Sequence, residues 1–163
     1  MESAEQADAD AQVDAVLRAA NVLLRVVAQS VVEVEDTVTS PQLRVLVMIA
    51  AHGPQKAGAV AAELGVHPSN ATRTCDRLVN AGLIVRHDAP GDRRYVALSL
   101  TPKGQSLVDT VLEHRRAAVA EVMGRMPEEL RSAVALGMDA FAAADGGQGT
   151  ADGRFTVDLQ RRV

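Results

Sequence analysis

The chain has 163 residues, 47% hydrophobic and 23% charged, and 17 Lys+Arg against 21 Asp+Glu leave a net charge of −4. That length supports a single domain able to bury a core, while the acidic total argues against a nonspecific nucleic-acid coat and the 2% of aromatics against a stacking platform for single strands. No uninterrupted apolar run approaches the roughly 18 residues of a membrane span, no basic n-region marks a signal peptide, and the lone Cys75 closes no internal disulfide; the expected location is cytoplasmic, with no membrane partner.

The first predicted element is a long helix over about 9–38. In it Val13, Leu17, Ala20, Leu24, Val27, Val31, Val34 and Val38 step alternately by four and three, a heptad-like seam along one face. Such a seam needs another helix to cover it. Thr39-Ser40-Pro41 then opens a helix over about 41–51, with Leu43, Leu46, Val47, Ile49 and Ala50 as its buried segment, and His52-Gly53-Pro54 stops it. Movement of this support would change where the following elements stand.

Residues 56–64 place Ala57, Val60, Ala61 and Leu64 on a helical period, and Gly65 ends that helix with only Val66 and His67 before Pro68. Pro68 suits a first helical turn and Gly82 a left-handed cap, so the next helix runs over about 68–81. Its apolar face is Ala71, Cys75, Leu78 and Val79; the other face is Ser69, Asn70, Thr72, Arg73, Asp76, Arg77 and Asn80. A solvated helix face ordinarily mixes Glu with Lys, whereas this one has neither and offers hydroxyls, amides and two arginines, the groups that read base edges and hold phosphates. Two helices joined by a short Gly-containing turn make a helix-turn-helix; an ordinary αα-corner is the other arrangement open to the segment.

After Gly82 the period changes. Leu83, Ile84 and Val85 form a short strand, and residues 95–100 another in which Tyr95, Ala97 and Ser99 alternate with Val96, Leu98 and Leu100. The loop between them holds Pro90 and Gly91, and the hairpin tip is assigned to Arg86, His87, Asp88, Asp92, Arg93 and Arg94. A helix over about 103–126 follows, with Leu107 or Val108, then Val111, Leu112, Arg115, Val119, Val122 and Met126 on a helical period. A last helix starts at Met126-Pro127-Glu128-Glu129 and carries Leu130, Val134, Met138 and Phe141 as its stripe. Beyond it, 146–163 reads as a flexible tail, or as a short strand through Phe155, Val157 and Leu159 that clips onto a neighbouring edge.

The run Leu64-Gly65-Val66, then Ser69, Thr72, Arg73, Asp76-Arg77-Leu78, Gly82-Leu83-Ile84, Arg86, Asp92 with Arg94, Leu100-Thr101 and Gly104 resembles the MarR family of bacterial transcriptional regulators. The specific part is the spacing from Asp92 and Arg94 to Leu100, Thr101 and Gly104; a weaker likeness extends over about 39–142. The resemblance implies a mainly α fold with a small β-hairpin wing, a winged helix-turn-helix (about 41–101) flanked by N- and C-terminal dimerisation helices (about 9–38 and 103–145), in one unit over 1–145. It implies a homodimer on double-stranded DNA, reading a pseudo-palindromic operator. Ser69, Asn70, Thr72 and Arg73 would approach the major groove, Arg77 and Arg86 would serve the same surface, and Arg94, oriented by Asp92 and supported by Arg93, would enter the minor groove. A repressor relieved by a small effector is expected, with a phenolic or other aromatic acid as the ligand that the resemblance implies; among this chain's cations Arg18, Arg25, Arg44 and Arg115 are the candidates to hold it. Asn70 stands where a threonine is more usual, Cys75 takes an apolar slot, and Ala59 replaces a common acid.

Charge sorted by segment agrees with this orientation. Residues 67–104 carry six basic against three acidic side chains, a net of +3, and residues 1–36 carry two against eight, a net of −6. One end attracts phosphate and the other repels it. Nothing in the sequence asks for a catalytic centre, a metal or a cofactor: His52, His67, His87 and His114 stand in no zinc pattern, and no Gly-rich phosphate loop or nucleophile elbow occurs. Cys75, on the inward helix face, reads as a small hydrophobe rather than an oxidant sensor. The competing reading is a winged-helix protein-interaction module that has lost operator binding.

Overall fold

The computed structural model describes the backbone of residues 2–89 and 92–144 and the side chains of 4–88 and 96–144. The tail expected over 146–163 and the loop expected at Pro90 and Gly91 lie outside the described residues. Among the described residues the elements are α1 (Glu2–Val32), α2 (Ser40–His52), α3 (Ala57–Leu64), α4 (Pro68–Asn80), β1 (Ile84–Ala89), β2 (Asp92–Leu100), α5 (Pro102–Gly124) and α6 (Glu128–Ala144).

α1 differs from the expected helix in extent and in facing. It begins at Glu2 and stops at Val32, and residues 33–37 form turns. Glu33, Glu35 and Asp36 would place three carboxylates at the negative end of the helix dipole, and the β-branched Thr37, Val38 and Thr39 favour extended backbone. Val34 and Val38 are still buried, but as part of this link. Within the helix the seam is covered only toward its C-terminal end: Val31 packs against the core, with Val26 and Ser30 buried beside it, while the seam residues Val13, Leu17 and Leu24 remain 58%, 57% and 63% exposed. α1 is also long and apolar enough over Ala4–Val32 to cross a membrane by length and composition. Its uninterrupted apolar runs are broken by polar residues such as Arg18 and Arg25, whereas the average over the helix tolerates both. Each arginine would cost about 2.5–3.5 kcal/mol at the centre of a bilayer.

α2 is the centre of the fold. Thr39 precedes it with extended backbone and donates its N–H to Gln42 Oε1 at 2.8 Å, so the N-terminus is tied down before Pro41 enters the first turn. Leu43, Val45, Leu46, Val47, Met48 and Ile49 are all buried, because α2 is wrapped by α3, α4, the hairpin and α5. A helix apolar nearly all round has to be interior.

α5 closes the head from behind. Thr101 caps it by accepting from the Gly104 N–H at 3.1 Å, and the same hydroxyl donates to the Gly82 carbonyl at 2.6 Å. Gly104 is required by proximity: a Cβ there would sit 2.0 Å from the Leu83 carbonyl oxygen. Farther along, Val108 and Val111 enter the core, and the buried Arg115 donates from Nε to Ser30 Oγ at 2.8 Å, pinning α5 to α1. Burial lowers the Arg115 pKa. α6 buries none of its residues, and Leu130, Met138 and Phe141 stay 51%, 40% and 60% exposed. Among the described residues a single chain therefore leaves α6 and the N-terminal part of the α1 seam uncovered.

Candidate nucleic-acid interface

α3 and α4 meet through a turn that the sequence dictates residue by residue. Gly65 adopts φ 65 and ψ 35, left-handed backbone that a glycine enters without a Cβ penalty, and Val66 N–H bonds back to the Ala61 carbonyl at 3.1 Å. His67 is the N-cap of α4: its Nδ1 accepts from the Ser69 N–H at 3.4 Å and lies 3.0 Å from the Ser69 hydroxyl. Pro68 follows at the first helical position, where its missing N–H removes nothing.

α4 is sharply two-sided. Ala71, Cys75 and Leu78 are fully buried against the core and Val79 is partly so. Burial pushes the Cys75 thiol above its ordinary pKa, with smaller effects of Arg86, which lowers it, and Asp76, which raises it. Opposite, Ser69, Asn70, Thr72, Arg73, Arg77 and Asn80 are exposed, and Asp76 is partly so. Thr72 and Thr74 donate their hydroxyls to the carbonyls of Pro68 and Asn70 at 3.0 and 3.1 Å, and Arg73 Nη1 lies 3.5 Å from Asn70 Oδ1. At its C-terminus α4 receives Lys103 Nζ on the Ala81 carbonyl at 3.0 Å, a cation at the negative end of the dipole, and Gly82 turns the chain with φ 69.

The hairpin is longer than the sequence suggested. β1 extends to Ala89 and β2 starts at Asp92, paired antiparallel from Ile84↔Leu100 to Asp88↔Val96, with a register irregularity before Ala89↔Asp92. Cross-strand hydrogen bonding continues into the polar stretch because Arg86, His87 and Asp88 need only backbone groups to join the ladder. Arg86, His87 and Asp88 are therefore strand residues and not tip residues. The expected alternation in β2 is also incomplete: Ala97 and Leu98 are both buried and Val96 is exposed. A third segment explains it, since Gln55 bridges Leu98 through N–H to carbonyl bonds of 3.0 and 2.8 Å in both directions, covering β2 along its edge. Gln55 carried no strand signal between Pro54 and Lys56.

Arg86 is exposed but not unpaired: its Nη2 donates to Asp76 Oδ1 of α4 at 2.5 Å. His87 Nε2 stands 2.6 Å from Ser99 Oγ. Asp92, Arg93 and Arg94 open β2, and their side chains lie outside the described residues. Of the four arginines considered for an effector, Arg44 donates from Nη2 to the Glu63 carbonyl at 2.5 Å and lies 3.2 Å from its carboxylate, Arg115 holds Ser30, and none of the four lines the open cleft formed by Val31, Val32, Glu35, Thr39 and Pro41. Among the described residues no group of three or more His, Cys, Asp or Glu is placed to hold a metal.

A sequence model of the MarR family matches residues 36–94, the stretch from the α1–α2 link to the start of β2. The crystal structure of RV1404 from Mycobacterium tuberculosis is similar at 38% identity and a TM-score of 0.74, covering 85% of this chain and 94% of that one. The YusO protein from Bacillus subtilis is similar at 30% identity and a TM-score of 0.63, over 82% and 95%. Among curated proteins, the HTH-type transcriptional regulator YfiV of Bacillus subtilis is 28% identical over 104 residues, 64% of this chain. The match spans 65% of the length of YfiV, and similar matches span 62% and 64% of other curated relatives. With the helix-turn-helix, the paired hairpin and the close approach of Gly104 to Leu83 in place, these likenesses carry one conclusion: the chain belongs to the MarR family of transcriptional regulators and has its winged-helix fold.

Proposed function

We propose that the chain works as a homodimer on double-stranded DNA, a repressor that reads a pseudo-palindromic operator from the cytoplasm and is released by a small effector. The observation that carries this reading is the two-sidedness of α4: its apolar face is sealed in the core while its hydroxyls, amides and two arginines are displayed beside the hairpin. In this reading Ser69, Asn70, Thr72 and Arg73 meet base edges and phosphates in the major groove, Arg77 holds backbone, and Arg94, with Asp92 and Arg93, serves the minor groove. The exposed seam of α1 and the uncovered stripe of α6 support the dimer, because two copies bury surface that one leaves in water. Two-fold pairing sets half-sites about one helical turn apart. The cleft at the α1–α2 joint is the candidate effector site, since an occupant there would tilt α2 and the head that it supports.

The test is selection of bound duplexes from a random pool, followed by titration of the winner across salt. A two-fold symmetric motif is expected, with log K falling linearly in log salt as counterions are released. Arg73→Ala should cost about 1–3 kcal/mol and relax sequence preference if it reads a base, and Arg94→Ala should weaken binding while the dimer survives. Full affinity in Arg94→Ala would remove the wing from the mechanism. Failure to enrich any duplex would leave the protein-interaction reading.

A further inference from the structure

The geometry points to Arg86 as a positioning residue that latches the wing to the reading helix through Asp76, rather than as a contact to DNA. This rests on the reading that α4 binds duplex DNA. Strand alternation puts Ile84, Arg86 and the cross-strand Leu98 on one face of the hairpin, and Ile84 and Leu98 are buried there. The Arg86 stem therefore leaves from the core side, and its guanidinium ends on the Asp76 carboxylate at 2.5 Å, bridging ten residues of chain and two elements. Asp76 directly follows the fully buried Cys75, so its backbone is anchored by the core. Both charges act on the Cys75 thiol, in opposite senses.

The latch has two consequences for a duplex reader. It makes α4 and the wing one body, so that the major-groove helix and the minor-groove arm keep a fixed spacing. It also pairs the only carboxylate on the displayed face of α4, where an unpaired negative charge would oppose phosphate.

Asp76→Asn, Arg86→Gln and the double variant separate the latch from a direct contact. Operator binding and its salt slope are measured by fluorescence anisotropy, and hydrogen exchange of the β1 and β2 amides is followed in the DNA-free protein. The latch predicts that each single variant weakens binding about two- to five-fold, within the range open to an exposed ion pair. The double variant is then no worse than either single, because one interaction is lost in all three. The salt slope stays at the wild-type value, and the hairpin amides exchange faster in all three proteins. A direct phosphate contact by Arg86 predicts tighter binding in Asp76→Asn, where the arginine is released, and a salt slope lower by about 0.9 in Arg86→Gln. Either of those results, or unchanged hairpin exchange, overturns the latch. Should the wild-type protein bind no duplex, the DNA reading falls, while the exchange measurement still decides whether the wing is tied to α4.

Discussion

Replacing Gly104 by alanine sets two principles against each other with opposite signs. Helix propensity alone favours the change by about 1 kcal/mol, because Gly104 lies within α5. The structure opposes it: the new Cβ would stand 2.0 Å from the Leu83 carbonyl oxygen, 3.0 Å from its carbon and 3.3 Å from Leu100 Cδ2. The first neighbour is backbone, held by the Thr101 N–H at 3.1 Å, so it has no side-chain rotation with which to yield. α5 must withdraw from the α4–β1 junction, at an overpacking cost of about 1–3 kcal/mol. Withdrawal also strains two bonds, Thr101 N–H to Leu83 and Thr101 Oγ1 to Gly82, each worth about 0.5–1.5 kcal/mol. Net of the propensity gain, Gly104→Ala should destabilise by about 1–5 kcal/mol, with ~3 as the central value. Urea unfolding followed by circular dichroism measures this as a lower midpoint at an unchanged m-value, and melting should fall by about 2–4 °C per kcal/mol. Stability equal to or above that of the unchanged protein would mean that Gly104 is set by something other than the approach of Leu83.

Leu24→Glu, at a seam position 63% exposed in the single chain, should leave the helical content intact and yield a monomer in sedimentation equilibrium; a surviving dimer would place the interface elsewhere. Ser30→Ala strips the Arg115 Nε of its partner in a buried setting, and denaturation should show a loss of about 1–3 kcal/mol. Because burial raises the Cys75 pKa, the thiolate is scarcer near neutral pH than in an exposed cysteine, and native-state alkylation should be slow and limited by opening of the fold. Rapid labelling of the folded protein, with loss of duplex binding, would restore the oxidant-sensing reading of that residue.

Much of the reading head was legible from the chain because its signals are local. Gly65, Pro68 and Gly82 each act on their own backbone torsions, and the spacing of Ala71, Cys75 and Leu78 needs only the helical period to define a buried face. What the sequence could not supply is which partner each surface meets. The seam of α1 was visible as a pattern, but only the packed chain showed that Ser30 meets Arg115 of α5 and that Val13, Leu17 and Leu24 are left over. Arg86 looked like one more basic group on a wing until the fold brought Asp76, ten residues earlier, within hydrogen-bond range. Gln55 joins the sheet without any strand signal because a single pair of backbone bonds asks nothing of its side chain. Propensity and periodicity are properties of neighbours in sequence, so the residues alone determined the order of the elements, the ends of α3 and α4 to within a residue, and the buried face of α4. Contacts between distant segments depend on how those faces share one core, and that the tertiary structure alone decided: the close approach of α5 to Leu83, the wing's tie to α4, and the apolar surface that a single chain cannot cover.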